Sequence, residues 1–258
     1  MNSRLELQVQ KELLKILKKA RVIILNEQKL KEWVNSTKFQ EYTTSLASRI
    51  VNKLLGGYRR QYTQLYNLIS KERRATMIQS QVLETASLIR SMPLNMAQEI
   101  STKIANQHLK GVRATTIAAE ILEKYPQLSK AKANLVARTE VARTNTMLLE
   151  NDCHEVGISW YIWHSTHDVR TRSSHNYMDG VVCSWGDPPN PEKLAKAGKD
   201  YGSYHPGCIF NCRCFPSPLV TADQIPSNLK VHLHGTIVRL SKREFIQKYW
   251  KGDTVIEF

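Results

Sequence analysis

Apolar residues recur at helical spacing through the first 150 positions. Leu13, Ile16, Leu17 and Ala20 fall three or four apart, as do Trp33, Phe39, Tyr42, Leu46, Ile50 and Leu54 after them. The pattern predicts successive helices. Expected breaks are Gly56-Gly57, where two glycines cost a helix about 2 kcal/mol relative to alanine, and Ser91-Met92-Pro93. Between them, one helix runs from about Tyr58 past Ile69 and another covers Met77–Arg90. Leu94–Leu109 follows, with Gly111 as its end signal. Ala114-Thr115-Thr116 caps Ile117–Lys124. Pro126 interrupts, Ser129 is read as an N-cap, and Lys130–Glu150 forms a long helix.

The period changes near Gly157. Ile158, Trp160 and Ile162 alternate with Ser159, Tyr161 and Trp163, which predicts a strand. Val181–Trp185 is a second, and Gly186–His205 reads as a long loop. Lys230–His234, Thr236–Leu240 and Thr254–Phe258 complete the strand expectations, with Ser241 opening a short helix. The expected fold class is α+β, a predominantly helical N-terminal part with a small mixed, β-containing and Cys-rich C-terminal part. The boundaries read are a basic helical leader 1–92, a central domain 93–219 (helices 94–150, small β/loop part 157–215) and a β-α-β tail 220–258.

Charge follows the same division. Residues 1–150 hold 25 Lys+Arg against 12 Asp+Glu, a balance of +13, and residues 151–258 hold 12 against 11. All five cysteines and 15 of the 20 Gly and Pro residues lie after position 150. The basic front suits an acidic protein surface or DNA. Its candidate contacts are Lys11, Lys15, Lys18, Lys19, Arg21, Arg59, Arg60, Arg73 and Arg74, against the plainer reading of a solvated helix face. Gly111–Thr146 imitates a helix-turn-helix around Pro126–Ser129, but the turn is long and Glu140 falls among the reading positions, so a sequence-specific reader is not expected. No run approaches the ~18 apolar residues of a membrane span, so no membrane partner is expected. Met1–Ala20 carries Glu6, Glu12 and scattered lysines in place of a signal sequence, which predicts folding in the cytoplasm.

Two clusters have chemical potential. The first runs from His164 to His175 with His167, Asp168, Arg170 and Arg172, and Asp179-Gly180 after it. Read functionally, His167 or His175 is an acid/base and the arginines hold an anion. Read structurally, Asp168 pairs with Arg170, Arg172 or Arg138, and Arg138, Glu140, Asp168, Arg170, Arg172 and His175 make a polar network tying the long helix to the small part. No partner nucleophile is evident, and no catalytic residue is assigned. The second cluster is Cys208-x3-Cys212-x-Cys214. Three thiols with His175, Cys183 or His205 as fourth ligand suit a structural zinc. Ordinary buried thiols and a late disulfide are the alternatives. Cys153 reads as a core cysteine.

The order of these motifs carries a resemblance. Ala137-Arg138-Thr139-Glu140 and Asn145 lie on a long helix, before a Trp-bearing strand at 157–163. Asp168-Val169-Arg170 with Arg172, His175 and Gly180 come next, then a Pro/Gly loop and Asn211-Cys212-Arg213-Cys214. Over roughly residues 93–215 the chain resembles the head morphogenesis domain of Mu F-like minor head proteins of phages. The resemblance implies a non-enzymatic minor capsid protein of a tailed phage, associated with the portal protein and other head proteins at the portal vertex. It further implies a role in head assembly and in packaging, retention or ejection of DNA. The expected location is the virion, after assembly in the host cytoplasm. A small His/Arg-dependent hydrolase or nuclease, or a non-specific DNA-binding protein, is the alternative.

Overall fold

The computed structural model describes residues 3–108 and 113–250. The sequence expectations at Gly111 and Thr254–Phe258 lie outside the described residues. The chain forms α1 (Ser3–Ala20), α2 (Glu27–Asn35), α3 (Thr37–Gln61), α4 (Thr63–Leu68), α5 (Lys71–His108) and α6 (Ala114–Glu155). Then come β1 (Trp160–His164), α7 (Ser173–Tyr177), β2 (Val181–Ser184), α8 (Pro191–Leu194) and β3 (Phe215–Pro218). A 3-10 turn at Ala222–Gln224, β4 (Asn228–Leu233), β5 (Thr236–Ser241) and α9 (Lys242–Lys248) complete the described fold. The α+β class expected from the pattern is the class observed.

Three expected breaks are absent. α3 runs through Gly56-Gly57, α5 through Pro93 and α6 through Pro126. The reason is burial. An interior proline costs a helix about 3 kcal/mol. The stripe Ile89, Met92, Met96 and Ile100 is continuous across Pro93 and fully buried. At ~1.5–3 kcal/mol per buried side chain, it outweighs the lost hydrogen bond. Ile121, Tyr125, Ala133 and Ala137 do the same across Pro126, and Tyr125 donates its hydroxyl hydrogen to the Leu17 carbonyl at 2.9 Å. With no turn at 126–129, the helix-turn-helix reading is corrected, and Ser129 is a buried mid-helix residue, not a cap. A break does occur at Ser36, which separates Trp33 in α2 from Phe39 in α3.

The described chain divides into two units. The first takes residues up to 55 and 75–141; the second takes 56–74 and 142 onward. These limits cut α3, α5 and α6 and do not follow the chain-order boundaries at 92 and 219. Among the described residues, the regular elements of the first unit are all helices. Its core is the apolar stripe of α1 (Leu5, Val9, Leu13, Ile16, Leu17, Ala20) clustered with Leu30, Leu46, Ile50, Leu54, Ile89 and Val141. Asn26 caps α2 by accepting from the Lys29 N–H at 3.0 Å.

The second unit is built on a five-stranded sheet ordered β3-β1-β2-β4-β5. β1 pairs antiparallel with both β2 and β3, β2 pairs parallel with β4, and β4–β5 is an antiparallel hairpin. The hairpin therefore belongs to the same sheet as β1, so residues 220–250 are not a separate tail. Alternation assigns the faces. Trp160 and Val182 point into a core with Leu219, Leu229, Val231 and Phe245. Tyr161, Trp163, Val181 and Cys183 are buried on the other side, with Trp163 ring-to-edge against His175. That second face carries the polar chemistry.

Candidate metal centre

His175, Cys212 and Cys214 come together as a buried cluster. One donor atom from each lies within 4.8 Å of the others. His175 Nδ1 is 3.4 Å from Cys212 Sγ and 3.3 Å from Cys214 Sγ. α7 places His175, and the loop after Gly207 places the thiols. The Gly207 N–H donates to Cys212 Sγ at 3.3 Å, and Thr146 on α6 donates its hydroxyl hydrogen to the Pro206 carbonyl at 2.7 Å.

The other imidazole nitrogen is equally defined. His175 Nε2 lies 3.0 Å from the Tyr204 hydroxyl, which donates to Glu192 at 2.7 and 2.9 Å. The buried Glu192 carboxylate also accepts from Ser174 at 3.1 Å. Because the phenol proton is directed to Glu192, its oxygen accepts from Nε2–H, and Nδ1 presents a lone pair to the sulfurs. Burial, then the Glu192 carboxylate, push the Tyr204 phenol well above its usual range, so it stays a donor. The two thiols share a proton unevenly. Donation from Cys214, opposed by burial, lowers Cys212, while the same hydrogen bond and burial raise Cys214.

Cys208 is half-buried and outside this cluster, as are the other fourth-ligand candidates. Cys183 lies buried in β2, and His205 Nδ1 pairs with the Tyr161 hydroxyl at 3.0 Å. Cys153 is buried, as read. All five cysteines are unbridged.

Within the second unit, the acid and arginines of the expected polar network take the following partners. Asp168 engages Arg213 through a two-point fork and accepts from the Arg170 backbone N–H at 3.0 Å. Its partner is therefore Arg213, not the side chain of Arg170 or Arg172. The Asp168 carboxyl is held below its ordinary range, first by the Arg213 hydrogen bond. Arg172 donates to the Phe210 carbonyl at 2.9 Å and stacks over the Phe210 ring. Arg138 lies 3.9 Å from Glu6, and Glu140 accepts from Thr85 at 3.4 Å, both within the first unit. His167 is exposed and 3.1 Å from Asp179.

Among the basic candidates, Lys11, Lys15, Lys18, Lys19, Arg21, Arg59, Arg60 and Arg73 are exposed. Lys15 pairs with Glu12 and Arg73 with Glu155. Arg74 is different: it is only 5% exposed and bound to the fully buried Asp152, so it is a core residue and not an outward contact. Tyr58 donates to the same carboxylate at 2.6 Å. Sequence reasoning missed Glu192, Tyr204 and Thr146. Asn190-Pro191 did carry a helix-start signal, an N-cap followed by proline at the first position, which would have put Glu192 in a first turn.

Comparison with known proteins bears on the same segment. The family model described as phage Mu protein F like protein matches residues 98–216. A protein of Haemophilus influenzae described as uncharacterized is 26% identical over 166 residues, covering 64% of this chain and 33% of its own length. The chain thus spans about a third of that relative. No solved structure matches it significantly. The matched stretch runs from within α5 to the start of β3 and contains His175, Cys212 and Cys214, so the likeness to the phage Mu protein F like family includes the candidate metal-ligand cluster.

Proposed function

We propose that the chain is a minor protein of a tailed-phage head, seated at the portal vertex and acting in head assembly. The likeness to the phage Mu protein F like family at 98–216 carries this reading. Charge supports it: exposed cations on α1 and α3 offer a surface for an acidic head protein or for packaged DNA. The role is structural. His175 is 2% exposed with both ring nitrogens engaged, and His167 turns to Asp179, so the two do not combine as an acid/base pair. Among the described residues no helix is long and apolar enough to cross a membrane.

The test is co-expression of the tagged chain with the portal protein of the same genome, at moderate salt with nuclease added. The expected result is a stoichiometric complex that survives nuclease. Salt-sensitive DNA retention without a complex would contradict portal association and favour DNA binding.

A further inference from the structure

We propose that Cys212, Cys214 and His175 Nδ1 form a three-ligand site for a zinc-class divalent ion, with its fourth position open to a small arginine-edged cavity. The proposal is independent of the head role.

Distance is the first argument. A tetrahedral zinc with Zn–S near 2.3 Å and Zn–N near 2.05 Å requires an S···N edge of about 3.6 Å. The two edges here are 3.3 and 3.4 Å, so small movements admit the ion. Orientation is the second. The Glu192–Tyr204 relay occupies Nε2–H and leaves the Nδ1 lone pair directed at the thiols, an arrangement that carboxylate-backed histidine ligands share. The Gly207 N–H directed at Cys212 Sγ favours sulfur as thiolate. Two thiolates and an imidazole select a soft or borderline ion over magnesium or calcium.

The fourth position follows from what surrounds the cluster. Among the described residues no further His, Cys, Asp or Glu joins it. A cavity of about 100 Å³ meets all three ligands and is also lined by Arg172 and Arg213. That is room for several waters, each needing only about 10–15 Å³. Two thiolates neutralise the ion's charge, and the arginines favour a small anion or water from this cavity as fourth ligand.

The experiment uses the full chain purified without chelator or histidine tag. Elemental analysis is expected to give about one zinc per chain. Cobalt exchange is expected to give a thiolate-to-metal charge-transfer band and tetrahedral visible bands, and thiocyanate is expected to shift the visible bands. Cys208→Ser should keep the metal, while His175→Ala and Cys214→Ser should lower its affinity at least ~10-fold. If those two variants fail to fold, the wild-type cobalt spectra and Cys208→Ser still decide. Metal below about a tenth of an equivalent after incubation with zinc, or a Cys212–Cys214 disulfide in its place, would overturn the site. Loss of metal in Cys208→Ser, or visible bands indifferent to thiocyanate, would overturn the open position.

Discussion

Gly207 sits at φ +87°, and a Cβ there would lie 2.9 Å from Thr146 Oγ1 and 3.2 Å from the Ala142 carbonyl oxygen. Both the backbone angle and the space require glycine. Gly207→Ala is expected to destabilise the second unit by at least ~1–3 kcal/mol, read as a lower denaturation midpoint. A midpoint unchanged from wild type would show that the turn adapts. The buried Asp152 gives a second residue-scale prediction. Asp152→Ala strands the Arg74 guanidinium in the core, with an expected cost of about 3–5 kcal/mol. Tyr58→Phe removes one hydrogen bond and should cost about 1–2 kcal/mol. A larger loss in Tyr58→Phe than in Asp152→Ala would contradict this order. At this scale the sequence was partly legible. His175, Cys212 and Cys214 stood out by residue type and spacing. Glu192 and Tyr204 did not, because a carboxylate and a phenol in a Pro-rich loop give no sign of burial until the sheet brings them under His175.

Elements were read well where period alone decides. The 2-residue alternation at Trp160–Trp163 gave β1, and Lys230–His234 with Thr236–Leu240 gave the β4–β5 hairpin. The Ser241 cap is present as a full capping box with Glu244. β3 escaped because Pro216 and Pro218 mark a breaker, yet prolines are tolerated on an edge strand, and β3 is the sheet's edge. The helix breaks were misread because local propensity was weighed without the tertiary burial that overrides it. The residual local cost is measurable. Gly56 is helical, and a Cβ there meets nothing within 4 Å. Gly56→Ala is expected to stabilise by about 0.5–1 kcal/mol, and the exposed Pro126→Ala by about 1–3 kcal/mol. A loss of thermal stability in both variants would mean the breakers serve the fold.

The charge balance of the whole chain sets its response to acid. Asp200 is held down at about 2 by Asn190 and the Gly202 N–H, and Asp168 and Glu244 are lowered by Arg213 and Ser241. Carboxylates lowered in the fold add stability above their unfolded values and lose it as pH falls through the folded ones. Asp152, raised by burial, has the opposite sign. With Glu12 and Glu27 also lowered, by Lys15 and Lys31, five lowered carboxylates against one raised predict stability that declines from about pH 4 toward pH 2, and the growing positive charge of a +14 chain adds repulsion in the same direction. A melting temperature constant over that window would contradict the assignment. The domain limits at this scale were not legible. The chain leaves the first unit at residue 56 and returns at 75, so segments distant in sequence share one unit, and no composition change marks those points.

The most direct measurement is quantitative mass spectrometry of heads, free of tails, purified from particles of the element that encodes the chain. The chain is expected in the heads at a few copies each, and more strongly retained when portal is present. Its absence from the heads, with the protein free in the lysate, would contradict the head assignment.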